Sequence, residues 1–224
     1  MVRARLIRLA VVDPLPLAAD LQQDAAALGV ALVERDAERV LQFGRALLRW
    51  NQAFNLVSRQ DVHRLYSRHL LDSLSAAPFL KGSRVLDVGT GPGLPGIPLA
   101  IACANVQFML VDRNERRIRF VRQICADLGL AHVEPVSGEV REIATGRLFD
   151  TIVLRAVAPL DRAWALCEPF LAPEGRMVLM ASGQATVAQA ANEPALAAGR
   201  ETERRAVPIP GLPVAHEIRV IERA

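Results

Sequence analysis

The sequence predicts a doubly wound α/β sheet of mostly parallel strands, preceded by a helical segment. Two observations carry this. From Arg84 onward, short apolar runs alternate with helical stretches, the pattern of parallel strands joined by crossover helices. The first such run also leads into DVGTGPGLPGIPL, residues 87–99, where four glycines and three prolines mark a ligand-binding turn between a strand and a helix.

Residues 1–12 read as a loose extension. From about Pro16 to Phe79 the apolar spacing is helical. Leu41, Leu47, Leu48 and Phe54 recur near that spacing, as do Leu65, Leu70, Leu71 and Leu74. Asp61 is placed to cap the second of these helices. Arg84–Val88 is the first strand, Pro95–Cys103 a helix, Val106–Val111 a strand and Asn114–Leu128 a helix. His132–Val136 and Phe149–Arg155 follow as strands, then a helix over Leu160–Leu171. The turn Pro173-Glu174-Gly175 opens a strand at Met177–Ala181. A polar, Ala-rich helix is expected over Ala185–Ala198. Glu203–Ile209 and His216–Glu222, joined by Pro210-Gly211, read as an antiparallel pair at the sheet edge. The expected division is an extension and helical cap over 1–80 and a single globular core over 81–224.

Length and composition narrow the function. A chain of 224 residues with 51% hydrophobic residues supports one large core. Aromatics at 4% argue against a broad platform for stacking single-stranded bases. A net charge of +3 permits a nucleic-acid partner without requiring one. Lys81 is the only lysine, so the positive charge is almost all arginine. Cys103, Cys125 and Cys167 form no C-x-x-C pair, which speaks against a zinc site or a disulfide framework and fits a reducing cytoplasm. Arg8, Asp13 and Pro14 interrupt any signal-peptide core. The uncharged run from Val88 to Val111 is broken by glycines and prolines, so it is no spanning helix. A soluble, cytoplasmic, monomeric protein with no bound metal is expected.

The glycine turn admits two readings. Gly91, Gly93 and Gly96 spell G-x-G-x-x-G, the dinucleotide fingerprint, while Asp87, Gly89, Gly91 and Gly93 spell D-x-G-x-G-x-G. A dinucleotide needs free N–H groups at the helix start for its pyrophosphate. Pro92, Pro95 and Pro98 each delete one there. S-adenosylmethionine carries no phosphate and needs only close backbone approach, which the glycines allow, with Asp87 near its cationic end. Asp112 ends the second strand about 20 residues beyond the turn, where an acid grips ribose hydroxyls. S-adenosylmethionine is the expected cofactor.

The turn, with RHLLDS at Arg68–Ser73 and RFVRQ at Arg119–Gln123, closely resembles the bacterial 16S ribosomal RNA guanine-N7 methyltransferases, the glucose-inhibited division protein B family. The likeness starts near Trp50-Asn51, passes through Asn55-Leu56 and runs to about Gly183. It implies a Rossmann-like, seven-stranded S-adenosylmethionine-dependent methyltransferase fold behind an N-terminal helical cap. It implies methyl transfer to N7 of a guanine in the 16S rRNA of the small ribosomal subunit. Gly89 and Leu94 would line the cofactor pocket, and Asp112 would hold the ribose. Val140 and Arg141 would lie beside the adenine through their backbone, and Arg155 would position groups at the reacting end. N7 has an in-plane lone pair, so no general base and no His/Asp pair is expected. For RNA, Arg113, Arg116, Arg117, Arg119 and Arg122 crowd one helix, and Arg64, Arg68 and His69 offer a second patch, with His69 equally readable as a structural hydrogen-bonder against Asp72.

Some positions depart from the family pattern. Glu139-Val140-Arg141 stands for an Arg-Ala-Glu-like stretch, Leu154 for a serine, Ser182 for a lysine and Ala215 for an arginine. Two alternatives therefore stand beside the first reading: a methyltransferase on another acceptor, and a catalytically weak relative that binds RNA or the ribosome.

Overall fold

A computed structural model describes residues 15–58, 61–143, 145–155, 159–181, 196 and 198–224. The cap begins with α1 (Ala18–Ala27), which stops at Gly29, where φ is +78°. Helix α2 (Glu34–Phe54) follows and ends on Asn55 in the left-handed region. A helical segment then passes from a 3-10 turn (Val62–Arg64) through a π-helical stretch (Leu65–Leu71) into α3 (Asp72–Leu74).

Seven strands form one sheet in the order β3-β2-β1-β4-β5-β7-β6. They are β1 (Arg84–Val88), β2 (Gln107–Asp112), β3 (Val133–Ser137), β4 (Phe149–Arg155), β5 (Leu171–Ala181), β6 (Gly199–Val207) and β7 (His216–Arg223). Strands β1 to β5 pair in parallel, and β7 runs antiparallel to both β5 and β6. The crossovers carry α4 (Gly96–Ala102), α5 (Glu115–Asp127), α6 (Val140–Ile143) and α7 (Leu160–Cys167). The side-chain period of two divides the sheet's apolar residues between its faces. Val85, Leu110, Val153 and Val178 join the cluster shared with α2, α4 and α5. Leu86, Val111, Leu154 and Leu179 join the cluster under α7. Cap and sheet are one packing unit on the first face: Phe120 of α5 meets Phe43 and Trp50 of α2 at ring-centroid distances of 6.3 and 5.3 Å.

Several expected boundaries move, each for a local reason. Helix α7 stops at Cys167 and gives way to a 3-10 turn over Glu168–Phe170, because Pro169 cannot continue an α-helix. Strand β5 begins at Leu171 rather than Met177. It takes in Pro173-Glu174-Gly175 as an irregularity against β4, pairing Leu171 with Phe149 and Arg176 with Thr151. Strand β6 starts earlier, at Gly199, and ends at Val207, where Pro208 removes the next ladder donor. Phe54, expected on a core face, is half exposed against Trp50. Asp61 makes no cap bond; its carboxylate instead takes Ser58 Oγ, Arg64 and Arg68. The helix expected over Ala185–Ala198 falls almost wholly outside the described residues, as do the extension over 1–12 and Ser182. Ala198 itself lies in the turn before β6.

Candidate active site

The chain changes direction across the sheet between β2-β1 and β4. Ligands of such sheets bind in the crevice beyond the strand ends at that point. The glycine turn fills one side of it. Gly89, Gly91 and Gly93 take φ of +73°, +58° and +91°, which side chains other than glycine strain to adopt. The backbone donors of the turn are all used within the protein. Gly89 and Thr90 N–H go to Val111 O, Gly93 and Leu94 N–H to Thr90 O, Gly91 N–H to Asp112 Oδ2, and Gly96 N–H to Asp87 Oδ2. Pro92 and Pro95 have none to offer. Nothing remains to cradle a pyrophosphate, so the geometry agrees with the phosphate-free reading of the turn.

Asp87 is 1% exposed. Its Oδ2 accepts from Thr90 Oγ1 at 2.6 Å and from Gly96 N at 2.8 Å, while Oδ1 is buried with no partner among the described residues. Burial holds this carboxyl up at about 6, against the pull of those two bonds and of Arg155. When ionised, this buried carboxylate places a negative charge beside the turn, which favours a cationic ligand end. Asp112 pins the turn: Oδ2 accepts from Gly91 N and Oδ1 from Asn114 N, both at 2.8 Å, with Arg117 at 3.8 Å. Each carboxylate oxygen keeps a further lone pair for another donor. Val140 and Arg141 open α6 beyond β3, next to Asp112, whose carbonyl accepts from Gly138 N at 3.1 Å. Val140 is buried and the Arg141 side chain is exposed. Leu94 is 2% exposed and packs into the core cluster under the cap.

The other side of the crevice is a polar cleft of about 220 Å³ lined by Asp61, Arg68, His69, Asp72, Arg155, Met180, Ala181 and His216. Arg155 leaves the end of β4 with its Nη1 3.3 Å from His69 Nδ1 and 3.6 Å from Asp72 Oδ2. An arginine only donates, so His69 Nδ1 accepts and the ring proton sits on Nε2. Burial, then the Arg155 charge, pushes His69 down to about 4, which keeps the ring neutral at pH 7. Burial also lowers Arg155, while Asp72 and Asp87 raise it.

His216, from the start of β7, bonds Asp72 Oδ1 through Nδ1 at 2.6 Å. The sequence hides this His/Asp pair, because its members lie 144 residues apart and no local motif joins them. A usable signal was a histidine opening the final antiparallel strand, which the sheet order sets beside β5. Of the two readings of His69, the structure fits the structural one in part: it is 7% exposed inside the cleft and bonds Arg155 rather than Asp72. Arg68 pairs with Asp61 at 3.0 Å. Just before α5, Arg113 pairs with Glu139, and on the helix Arg117 and Arg122 pair with Asp112 and Glu115. Arg116 and Arg119 are exposed and make no ion pair with a described residue. Leu154 is fully buried under α7, on the face opposite the cleft.

Cysteine chemistry has no place here. Cys125 and Cys167 are buried thiols pushed up to about 12, and Cys103 is also raised by burial. Among the described residues no group of His, Cys, Asp and Glu could hold a metal ion, and no helix is long and apolar enough to cross a membrane.

The family model for GidB, rRNA small subunit methyltransferase G, matches residues 36–211. The chain belongs to this family. It is 45% identical over 158 residues to ribosomal RNA small subunit methyltransferase G of Methylococcus capsulatus, covering 70% of this chain and 77% of that one. It is 42% identical over 151 residues to the protein of that name from Yersinia enterocolitica, covering 67% and 73%. Its fold is similar to a variant of MtNAS solved with S-adenosylmethionine, at TM-score 0.54 and 18% identity over 92% of this chain and 77% of that one. The protein is thus a ribosomal RNA methyltransferase, and its cofactor is S-adenosylmethionine.

Proposed function

We propose that the protein methylates N7 of a guanine in the 16S rRNA of the small ribosomal subunit. The observation that carries this is the pairing of a turn with no free amide and a neighbouring cleft that holds a fixed arginine but no reactive thiol. Bound S-adenosylmethionine supplies an electrophilic methyl group on a sulfonium. The buried Asp87 carboxylate would favour the cationic amino-acid end through its charge, Asp112 would hold the ribose, and the backbone of Val140-Arg141 the adenine. Gly89, Gly91 and Gly93 would let the backbone close on the cofactor, with Leu94 packed behind them.

Guanine N7 attacks through an in-plane lone pair, so no proton has to leave first. What the chain must supply is alignment, and holding two reactants in line can lower a barrier by about 7–11 kcal/mol. Arg155, braced between His69 and Asp72, would do this at the reacting end. Arg116 and Arg119, the exposed members of the α5 row that make no ion pair with a described residue, would meet RNA phosphates. The helical segment before β1 lines the cleft with Arg68, His69 and Asp72, on what would be the acceptor side. The enzyme would act as a cytoplasmic monomer. Small subunits rebuilt with 7-deazaguanine at the target test the reading. Loss of transfer supports N7 as the nucleophile, and unchanged transfer refutes it.

A further inference from the structure

Arg155 and His216 meet on one carboxylate. Asp72 Oδ1 accepts from His216 Nδ1 at 2.6 Å, and Oδ2 lies 3.6 Å from Arg155 Nη1. A carboxylate only accepts, so His216 holds a proton on Nδ1, and in the neutral form of the ring Nε2 is an acceptor. Nε2 bonds no described residue, and His216 lines the cleft. Unlike Nε2 of His69, it is not sealed away from the open space. Nε and Nη2 of Arg155 are likewise open and without a described partner. One buried carboxylate, 4% exposed, thus sets a fixed donor and a fixed acceptor in the same wall of the cleft.

We propose that this pair reads the acceptor base. Arg155 donates to a ring carbonyl oxygen, and His216 Nε2 accepts from the adjacent ring N–H, with Asp72 as the positioning residue for both. Guanine presents this order, O6 beside N1–H. Adenine presents the reverse, an amino donor beside a bare N1, so both groups of the pair would oppose it. Uracil shares the order but has no N7. The match approaches guanine from its O6 and N1 side, so the N7 lone pair stays free for the methyl group. Methylation places positive charge on the base and makes N1–H a stronger donor. The His216 contact therefore strengthens as the reaction proceeds, which is where binding energy raises kcat. No proton needs to move. The inference rests on the guanine-N7 reading and adds to it the residues that choose the base.

The test uses the full chain and small subunits carrying guanine, inosine or adenine at the target, with cofactor binding followed by calorimetry. Inosine keeps O6 and N1–H, so the wild type should methylate it and should leave adenine untouched. His216→Phe should lower kcat/KM on guanine about 10- to 100-fold, the span of a lost hydrogen bond of this kind, with cofactor affinity unchanged. His216→Asn, whose amide oxygen can accept, should recover part of that loss. Asp72→Asn should lower kcat more than it alters KM for the subunit. If His216→Phe fails to fold, the Asn variant and the inosine comparison still decide. Full activity in the His216 variants, or inosine refused like adenine, would overturn the proposal while N7-methylguanosine from the wild type kept the functional reading intact. No N7-methylguanosine from the wild type would overturn both.

Discussion

The two sides of the crevice handle polar groups in opposite ways. In the glycine turn every backbone donor from Gly89 to Gly96 is consumed by the protein itself, and one acceptor, Asp87 Oδ1, is left without a partner. In the cleft, donors and an acceptor remain open on Arg155 and His216. The turn can therefore recognise its ligand by shape and one negative charge. The cleft can recognise a hydrogen-bonding edge. A cofactor that is the same in every turnover suits the first design, and an acceptor that must be told from other bases suits the second.

The comparison breaks most completely if the turn loses its shape. A Cβ on Gly96 would lie 2.6 Å from Asp87 Oδ2 and 2.7 Å from Leu110 Cγ, both buried. Gly96→Ala should cost about 1–3 kcal/mol of stability by overpacking and remove measurable cofactor binding. Denaturant unfolding and calorimetry read the two effects, and normal cofactor affinity would contradict this account of the turn.

Asp87 is the next largest lever. Its carboxyl is raised to about 6, so its contribution to folding is fully present below the ordinary carboxylate range and is lost as pH rises through about 6. Asp87→Asn should flatten that part of the stability curve, a change of about 3 kcal/mol at most. Binding of a cationic cofactor end runs the other way. It should weaken in the wild type as pH falls through about 6 and stay weak and pH-independent in the variant. A variant that binds as well as the wild type at pH 8 would remove Asp87 from the cofactor site.

On the acceptor side, Arg119→Glu should weaken RNA binding several-fold at low salt and reduce its salt dependence, leaving cofactor affinity alone. Unchanged RNA affinity would move the phosphate contacts off α5. The smallest effect sharpens the boundary between the two regions. Asn114 Oδ1 caps α5 by accepting from Arg116 N at 3.0 Å and Arg117 N at 3.3 Å. Asn114→Ala should cost about 1 kcal/mol of stability, visible in thermal unfolding, without changing which base is methylated.

Much of the turn could be read in the sequence because its meaning is local. Asp87, the glycines and the prolines are neighbours, and the missing donors follow from proline chemistry alone. Strands β1 to β4 were legible for the same reason, since apolar runs and turns alternate at short range. The cleft was legible only in part. Arg155 ends a strand that a local pattern defines, but Asp72 and His216 come from the cap and from the last strand. Only the sheet order, with β7 inserted beside β5, brings them together. His69 could be read as part of a patch with Arg64 and Arg68 or as a structural hydrogen-bonder, and only the packing of the cap against the end of β4 shows that it is buried facing Arg155.

The most direct measurement is methyl transfer from radiolabelled S-adenosylmethionine to small ribosomal subunits lacking the modification, with the product nucleoside identified. The account requires N7-methylguanosine. Label in another nucleoside, or no transfer by a chain that binds the cofactor tightly, would contradict it.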